Sequence, residues 1–558
     1  MPRNDTVLDS GGPELKAVSG ALFRMSRRTG SRLKIAGGTA PVLCVILGLW
    51  LLAPGALTAQ LSRQQVRGKQ IYSEGTSPSK APIEAVLGGG ASRVPALLMP
   101  CASCHGADGQ GRAEGGVTPS NITWEVLERP LTSSDRLARR RPAYDDASLR
   151  RAILEGVDPA GNEFGPTMPR FRMSAADVDS LIAYLRLLGK ESDPGLAATS
   201  IRIGTVIPSD GPLAATGNSF AALLQAYFED LNRQGGIYGR KVEFTSLPAK
   251  GSSSQIAAAA TNFVRDKNVF ALVGILAPGA EREVEDAMER AGVPVITSFA
   301  SGNDADGSSE KSKVFYLLSG LSQQARVLVR FAREHLEAPA SAIAVVFPQR
   351  EQQLGDSVVR ECRAQSFASV VPVNYASLRS EAATVVDSLQ KANVNAVLFL
   401  GDGRDLNDLL VSAKGVKWSP AIFQPGSFAG GDVFNIPQEF DQRVYFSFPT
   451  LPSDMAAEGL AEYEGLVRSH RLKVTQPVLS ASALADAKVM TEALRKSGRR
   501  LSRQKLVESL SAMYNFNTGL TPPVTFGAAR RIGALGGHVM KLDLKNKTLL
   551  PVEEWMAP

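Results

Sequence analysis

Cysteine and histidine are both scarce in this chain, which has four of each among its 558 residues. So few cysteines exclude a small scaffold held together by disulfides. Aromatic residues make up only 6% of the chain, yet the hydrophobic fraction of 44% is that of ordinary globular protein. At about 150 residues per domain, a chain of this length predicts three to four compact units.

Net charge is low once the amino-terminal stretch is set aside. The formal charge is +7, and residues 1–34 account for +4 of it, with seven Lys/Arg against three Asp/Glu. The remaining +3 is too small to indicate binding to nucleic acid. We therefore expect no nucleic acid among the partners of this protein.

Two of the four cysteines and one histidine fall within "CASCHGADGQG", residues 101–111. Two thiols three positions apart, followed directly by a histidine, form the attachment pattern for c-type haem. A zinc site would need a second pair of ligands, which the chain lacks, and a redox dithiol has no need of His105. Cys101, Cys104 and His105 therefore predict one covalently bound haem c.

Covalent haem attachment requires an exported chain, and the amino-terminal segment fits export. "MSRRTGSRLK" (25–34) is basic, and "VLCVILGLWLLAPGALTA" (42–59) is apolar and ends in small residues. That order is typical of a secretory signal, with cleavage after Ala59. The apolar core is short for a membrane-spanning helix, which needs about 20 residues. We expect a periplasmic protein in which 42–59 is either a cleaved signal or an inner-membrane anchor, and either Met1 or Met25 is the start.

Residues 62–190 resemble a class I cytochrome c domain. "GKQIYSEG" (68–75) is similar to its amino-terminal helix, and "GPTMPRF" (165–171) to its methionine loop. "AADVDSLIAYLRLLG" (175–189) is similar to its closing helix and has apolar residues at helical spacing. The resemblance implies an all-α domain with one haem.

The resemblance and the loop sequence both indicate the second axial ligand of the haem iron. His105 supplies one face, and Met168 lies between Pro166 and Pro169, which restrict the backbone. Met173 and then Met99 are the alternatives. A His/Met pair is the arrangement used for electron transfer, and it disfavours haem peroxidase activity because both axial positions are filled. We therefore expect an electron carrier with no catalytic residues.

Three arginines precede a turn in "RRRPAY", residues 139–144. They form either a solvated surface or a functional contact. The functional contact would be with a haem propionate, or with an acidic redox partner such as a dehydrogenase or another cytochrome.

After a Gly- and Pro-containing linker at 191–200, residues 201–558 alternate apolar runs and amphipathic helices. Examples are "IRIGTVI" followed by "SFAALLQAYFEDLNRQ", and "VNAVLFLG" followed by "DLNDLLVSAK". Short apolar β-branched runs between helices predict doubly wound parallel sheets. Ligands of such sheets bind beyond the carboxyl ends of the strands.

The order of these elements resembles the type I periplasmic solute-binding proteins, with the leucine/isoleucine/valine-binding branch as the nearest match. "GPLAATG" follows the first strand and "NRQGGIYGRKVEF" the first helix, as in that family. The resemblance implies two lobes, joined by three chain crossings, that close on a small ligand.

The resemblance also places a ligand pocket at the carboxyl ends of the strands. Ser301 matches a hydroxyl that helps to hold the ligand carboxylate in the family. The acidic residue that would hold an α-ammonium falls at Gly426 or Ser427, and an unpaired buried ammonium is costly. A less polar organic molecule or a small acid is therefore favoured over an amino acid. The pocket residues expected on this basis are Ser209, Thr216, Ala277, Pro278, Ala300, Ser301, Leu354, Asp402 and Ser427.

Two functions follow. The first is an exported electron carrier fused to a binding domain for a small organic ligand or a redox partner. The second is a receptor for an ABC permease, with the cytochrome as tether or redox sensor. The remaining histidines, His335, His470 and His538, lack metal-ligand spacing and are expected to be structural or at the surface.

Overall fold

The computed structural model describes the chain from residue 61 onward with short gaps, in the ranges 61–88, 92–111, 119–132, 140–190, 192–301, 312–335 and 342–558. The predicted export segment at 42–59 lies outside the described residues, as do Met1 and Met25. Within those ranges, every helix is too short or too polar to cross a membrane.

The region predicted to be a cytochrome is helical, as expected, and also contains a small antiparallel sheet. The strands take the order β2-β1-β3, so β1 is central. The sheet was not anticipated by the all-α prediction. The elements are α1 (Arg63–Glu74), β1 (Glu84–Leu87), β2 (Ser92–Pro95), α2 (Cys101–His105), α3 (Trp124–Leu127), α4 (Asp146–Leu154), β3 (Arg170–Arg172) and α5 (Ala175–Leu185), with a 3-10 helix at Ala96–Leu98.

Helices α1 and α5 form the core of this region. Gly68 lets them approach closely, since a Cβ atom at this position would lie 1.9 Å from the carbonyl oxygen of Ser180. Beside this contact the rings of Tyr72 and Tyr184 pack with their centroids 5.5 Å apart. Any side chain larger than hydrogen at residue 68 would therefore push the two helices apart.

The next elements build the first part of one lobe, called lobe 1. They are β4 (Ser200–Pro208), α6 (Ala214–Arg233), β5 (Lys241–Ala249), α7 (Ser253–Asp266), β6 (Ala271–Val273), α8 (Glu281–Ala291), β7 (Val295–Phe299) and β8 (Val314–Leu318). The chain then passes to lobe 2. Its elements are α9 (Leu321–His335), β9 (Ala342–Pro348), α10 (Gln352–Ala364), β10 (Ser369–Tyr375), α11 (Leu378–Lys391), β11 (Ala396–Phe399), α12 (Gly403–Gly415), β12 (Ala421–Pro425) and β13 (Val444–Phe448).

The chain returns to lobe 1 and finally ends in lobe 2. The returning elements are α13 (Ala457–Ser469), α14 (Pro477–Lys496), α15 (Arg503–Ser511) and β14 (Ile532–Ala534), and the last two strands are β15 (Gly537–Asp543) and β16 (Thr548–Met556). The sheet of lobe 1 has the order β14-β8-β7-β6-β4-β5, with every pair parallel. The sheet of lobe 2 has the order β10-β9-β11-β12-β13-β15-β16, in which β9 to β13 are parallel, β15 is antiparallel to β13, and β16 is antiparallel to β15. The predicted doubly wound fold is confirmed.

The chain crosses between the lobes after β8, after β13 and between β14 and β15, which gives the expected three crossings. Side chains tie these crossings together. Ser319, in the first, donates to the carbonyl of Ala534 (3.3 Å) and accepts from the N–H of Gly536 (2.9 Å), both in the third. His538 Nε2 lies 3.0 Å from a carboxylate oxygen of Asp454, next to the second crossing. His538 therefore has a structural partner, as predicted.

Candidate functional site

A cavity of about 650 Å³ lies in the cytochrome region, and the two motifs predicted from the sequence meet at its wall. Cys101, Cys104 and His105 line it from α2, and Met168 from the loop before β3. The rest of the wall is mainly apolar. The structure therefore brings together all four residues predicted to hold the haem.

Helix α2 explains how the attachment motif is presented. It begins after Pro100, whose backbone is extended, and ends at Gly106, which has a φ of +77°. Residues three and four positions apart lie on one face of a helix, so Cys101, Cys104 and His105 face the same way. The hydroxyl of Tyr72 fixes the end of this helix by donating to the carbonyl of Gly106 over 2.6 Å.

His105 is held in the tautomer that a metal ligand needs. Its Nδ1 lies 2.8 Å from the carbonyl oxygen of Ser120, which can only accept, so Nδ1 carries the proton. Nε2 is then left with its lone pair. Burial lowers the pKa of His105, although the bond to Ser120 opposes this, and the ring is 7% exposed. The imidazole is therefore neutral and oriented.

Arg170 fixes the methionine loop, which the sequence did not indicate. Its guanidinium donates to the carbonyl oxygens of Met168 (2.7 Å), Phe164 (2.8 Å) and Gly165 (3.1 Å). These three hydrogen bonds hold the loop around the Arg170 guanidinium. Met173 packs against the core without lining the cavity, whereas Met99 lines it as Met168 does.

Arg141, from the 139–144 motif, reaches the cavity. Its guanidinium donates to the carbonyl oxygens of Arg129 (3.1 Å) and Val126 (3.0 Å) and lies 4.6 Å from the centre of the Tyr144 ring. Both Arg141 and Tyr144 line the cavity. This position suits a contact with an acidic group in the cavity, while Arg140 is exposed and Arg139 lies outside the described residues.

The cavity fits a covalently attached haem. It offers two thiols, an imidazole with a free Nε2, a thioether and a cation within an apolar wall. Burial raises the pKa of the Cys101 thiol to about 12, so this thiol stays uncharged in that wall. The described residues contain no cluster of three or more His, Cys, Asp or Glu side chains that could hold a free metal ion.

The second predicted site is the cleft at the carboxyl ends of the strands. In lobe 1, the Ser209 hydroxyl follows β4, is buried, and has no hydrogen-bond partner among the described residues. Thr216 is buried in α6 and accepts a bond of 3.3 Å from Thr475. Ala277 and Ala300 are buried after β6 and β7, while Pro278 is exposed.

In lobe 2 the predicted pocket residues have structural partners. Leu354 is 3% exposed and packs in the apolar core, which departs from the prediction that it lines the pocket. Asp402 caps α12 by accepting from the N–H groups of Arg404 and Asp405, both at 3.1 Å. Ser427 exchanges two hydrogen bonds with Gln324, of 2.8 and 3.1 Å. Asp402 and Ser427 are thus held by hydrogen bonds, and Leu354 is in the core.

Ser301 also has a hydrogen-bond partner, Glu285, which could not be identified from the sequence. Its hydroxyl donates to Oε2 of Glu285 on α8, and the hydroxyl of Tyr316 donates to the same oxygen over 2.8 Å. Burial raises the pKa of Glu285 to about 7, although these two bonds lower it. In "EREVEDAMERAG" Glu285 looks like one more solvated carboxylate, so the sequence carried no signal for it.

The cytochrome region contacts lobe 1 through α15. The backbone N–H of Ala107, just after the haem-attachment helix, donates to Oε1 of Gln504 over 3.2 Å. Lys505 Nζ lies 3.5 Å from Oε1 of Gln110. The loop that follows His105 therefore lies against the first turn of α15.

Arg503, beside these contacts, binds the edge of the lobe 1 sheet. Its guanidinium donates to the carbonyl oxygens of Val269 (2.7 Å) and Phe270 (2.9 Å), which directly precede β6. All strands of this sheet are parallel, so α15 and the cytochrome contact lie at their amino-terminal ends. The ligand cleft is at the other ends.

Comparison with known families gives two matches along the chain. The family described as cytochrome c matches residues 91–189, and the family described as periplasmic binding protein matches residues 200–546.

Individual proteins resemble the second of these regions. The leucine-, isoleucine-, valine-, threonine- and alanine-binding protein of Pseudomonas aeruginosa is 23% identical over 339 residues, which cover 60% of this chain and 86% of that protein. The Leu/Ile/Val-binding protein homolog 3 of Brucella melitensis is 29% identical over 164 residues, which cover 29% of this chain and 43% of that protein. A substrate-binding protein of an ABC transporter from Aeropyrum pernix has the same fold, with a TM-score of 0.51 and 15% identity, over 64% of this chain and 96% of that one.

Proposed function

Since this chain belongs to the periplasmic binding protein family and carries a cytochrome c domain ahead of its binding domain, we propose that it is an exported electron carrier whose two lobes bind a small organic ligand. The observation that carries the proposal is the convergence of Cys101, Cys104, His105 and Met168 on one apolar cavity. A bound haem supplies a centre that gains and loses one electron.

The residues of the chain have separate tasks in holding that group. Cys101 and Cys104 would form the two thioether links, and His105 and Met168 would bind the iron. Ser120 keeps the proton of His105 on Nδ1, which leaves Nε2 for the metal. Because Cys101, Cys104, His105 and Met168 are all assigned to holding the haem, we propose a carrier and not an enzyme.

The haem site and the ligand cleft are well separated in this proposal. The cytochrome contacts the amino-terminal ends of the lobe 1 strands, and the cleft lies at their carboxyl ends. β4 alone has nine residues, which span about 30 Å. The cleft ligand would therefore not touch the haem, and recognition and electron transfer would be tasks of different surfaces. A periplasmic dehydrogenase or another cytochrome would be the redox partner.

Full-length protein made with periplasmic haem-ligation machinery tests the proposal. We expect haem to stay on the polypeptide after denaturing electrophoresis and acid–acetone extraction, and the purified protein to be reduced and reoxidised reversibly. The double variant Cys101→Ala, Cys104→Ala is the matched control and should lose the haem. A wild-type band without haem would refute the electron-carrier function. A thermal-shift screen of small organic molecules on the same protein tests the cleft.

A second function, a receptor for an ABC permease, is favoured by the similarity to amino-acid-binding proteins and to a substrate-binding protein of an ABC transporter. Under it the lobes would bind a branched-chain amino acid, and the cytochrome would be a tether or redox sensor. Micromolar binding of leucine by calorimetry would support this function over the first. The absence of a carboxylate at Gly426 and Ser427 weighs against it, because the ligand ammonium would have no partner there.

A further inference from the structure

The hydrogen bonding of Ser301 bears on what the cleft can hold. Ser301 follows the carboxyl end of β7, the edge of the lobe 1 sheet at which the ligand cleft is proposed. Its hydroxyl donates to Oε2 of Glu285, and Tyr316 donates to the same oxygen over 2.8 Å. The other carboxylate oxygen of Glu285 is buried and has no partner among the described residues.

Counting protons shows what these groups can offer to a ligand. A serine hydroxyl has one proton and two acceptor lone pairs, and a tyrosine hydroxyl likewise has one proton. Both protons are directed at Glu285, and above about pH 7 its carboxylate is ionised and has none to give. Ser301 is therefore left with lone pairs only, and the cluster of Glu285, Ser301 and Tyr316 accepts hydrogen bonds without donating any further ones.

The negative charge of Glu285 also disfavours a ligand carboxylate at Ser301. Glu285 is 4% exposed, so the field of its carboxylate is weakly screened by solvent. Glu281 and Asp286, on the same helix, add further negative potential at Glu285. A ligand carboxylate placed at Ser301 would meet the lone pairs of the serine oxygen and, beyond them, the negative charge of Glu285. Both repel a carboxylate, and repulsion of this kind excludes a wrong ligand.

We propose that Glu285 makes Ser301 a hydrogen-bond acceptor, so that the ligand presents a hydroxyl or N–H group to this end of lobe 1 instead of a carboxylate. The inference rests on the proposed ligand-binding function of the cleft. It reverses the role that the family resemblance gives to Ser301, which is to donate to a ligand carboxylate. Glu285 acts through Ser301 and is a positioning residue.

A purely structural role explains the cluster less well. A buried carboxylate that receives two hydrogen bonds and leaves one oxygen unpaired is costly to the folded state, and an apolar side chain would cost less. Such unsatisfied groups call for a reason beyond packing. Control of the cleft serine supplies one.

Two probes with the same carbon skeleton test the inference: 4-methylpentanoate and 4-methylpentanamide. Calorimetry on the full-length, haem-loaded protein at about pH 8 compares the two where carboxyl groups are ionised. We expect the amide to bind at least about tenfold more tightly than the acid, the difference that one well-placed hydrogen bond can make. Equal binding, or tighter binding of the acid, would overturn the inference while leaving ligand binding by the cleft intact.

Substitutions on α8 test whether Glu285 causes the preference for the amide over the acid. Glu285→Leu releases the Ser301 proton and should reduce the preference for the amide by about tenfold. Glu283→Leu makes the same change at an exposed position of α8 and should leave the preference unchanged. If Glu285→Leu does not fold, Ser301→Ala serves instead and should weaken the amide about tenfold with a smaller effect on the acid. An unchanged preference in the folded variant would overturn the inference.

The absence of any heat from either probe would also overturn it. The proposed function would fall with it only if the wider thermal-shift screen of organic molecules found no ligand either. The two failures are therefore distinguishable.

Discussion

The backbone N–H of Arg503 donates a 2.6 Å hydrogen bond to Oδ2 of Asp193. This bond joins the segment that follows the cytochrome to the first residue of α15. Close by, Gly195 has a φ of +84°, and a Cβ atom there would lie 2.3 Å from the carbonyl oxygen of Asn268. The segment that its composition predicts to be a linker is thus packed against lobe 1.

Arg503 should matter for stability because it satisfies buried carbonyl groups. Arg503→Ala removes its bonds to Val269 and Phe270, and we expect the free energy of unfolding to fall by about 3 kcal/mol. Denaturant unfolding of the full-length protein measures this. Arg500→Ala is the matched control, since its 3.7 Å pair with Glu125 is exposed and should contribute less than about 0.5 kcal/mol. Equal losses from the two variants would contradict the role given to Arg503.

Met168 should be the second axial ligand because it lines the cavity and Met173 does not. In the ferric protein, Met168→Ala should abolish the weak near-infrared band from sulfur to iron and lower the reduction potential. Met173→Ala should leave both unchanged. Met99 also lines the cavity, so Met99→Ala completes the series. Loss of the band in either of the other variants, with its retention in Met168→Ala, would show that the assignment is wrong.

Arg170 should control how firmly Met168 is held, since three carbonyl oxygens of the methionine loop accept from its guanidinium. Arg170→Ala should make the sulfur-to-iron band disappear at a lower temperature than in wild type, well before the protein unfolds. Arg172→Ala changes an exposed arginine of the same strand and should not move that temperature. If both variants behave alike, the loop is held by something other than Arg170.

The cytochrome site could be predicted because the residues that attach the haem lie close together in the sequence. Cys101, Cys104 and His105 occupy one helical turn, and the prolines beside Met168 mark its loop. Arg170 could not be predicted, because an arginine that binds main-chain carbonyls leaves no pattern of residue types. The contact between Ala107 and Gln504 joins positions 397 residues apart, a distance over which periodicity carries no information.

The parallel lobes were predictable from alternating apolar strands and amphipathic helices, but individual side chains were not. Leu354 was assigned to the pocket from the family resemblance, and the structure packs it in the apolar core of lobe 2. Glu285 and Ser301 belong to different elements, and only folding places the carboxylate beside the hydroxyl. Position along an element could be predicted from sequence, whereas the partner of a polar side chain could not.

Glu285 should make the stability of the binding domain depend on pH. Burial raises its pKa from 4.5 to about 7, so the folded state holds a proton that the unfolded state releases between these values. Its contribution is therefore fully present below about pH 4.5 and is lost as the pH rises to about 7, by about 3 kcal/mol in all. Glu281, Asp286 and the hydroxyl of Tyr316 are the titratable groups that act on it, and the two carboxylates reinforce the raised pKa.

Glu285→Gln removes this proton linkage while keeping the size of the side chain and one oxygen that can accept from Ser301 and Tyr316. Between about pH 5 and pH 7 the free energy of unfolding should therefore fall less steeply in Glu285→Gln than in wild type, and above about pH 7 the variant should be the more stable protein. Glu283→Gln, at an exposed position of α8, should follow the wild-type curve. Denaturant titrations across this range measure the slopes. Parallel curves for wild type and Glu285→Gln would mean that Glu285 is ionised in the folded protein throughout, because an ordinary pKa gives no slope in this range.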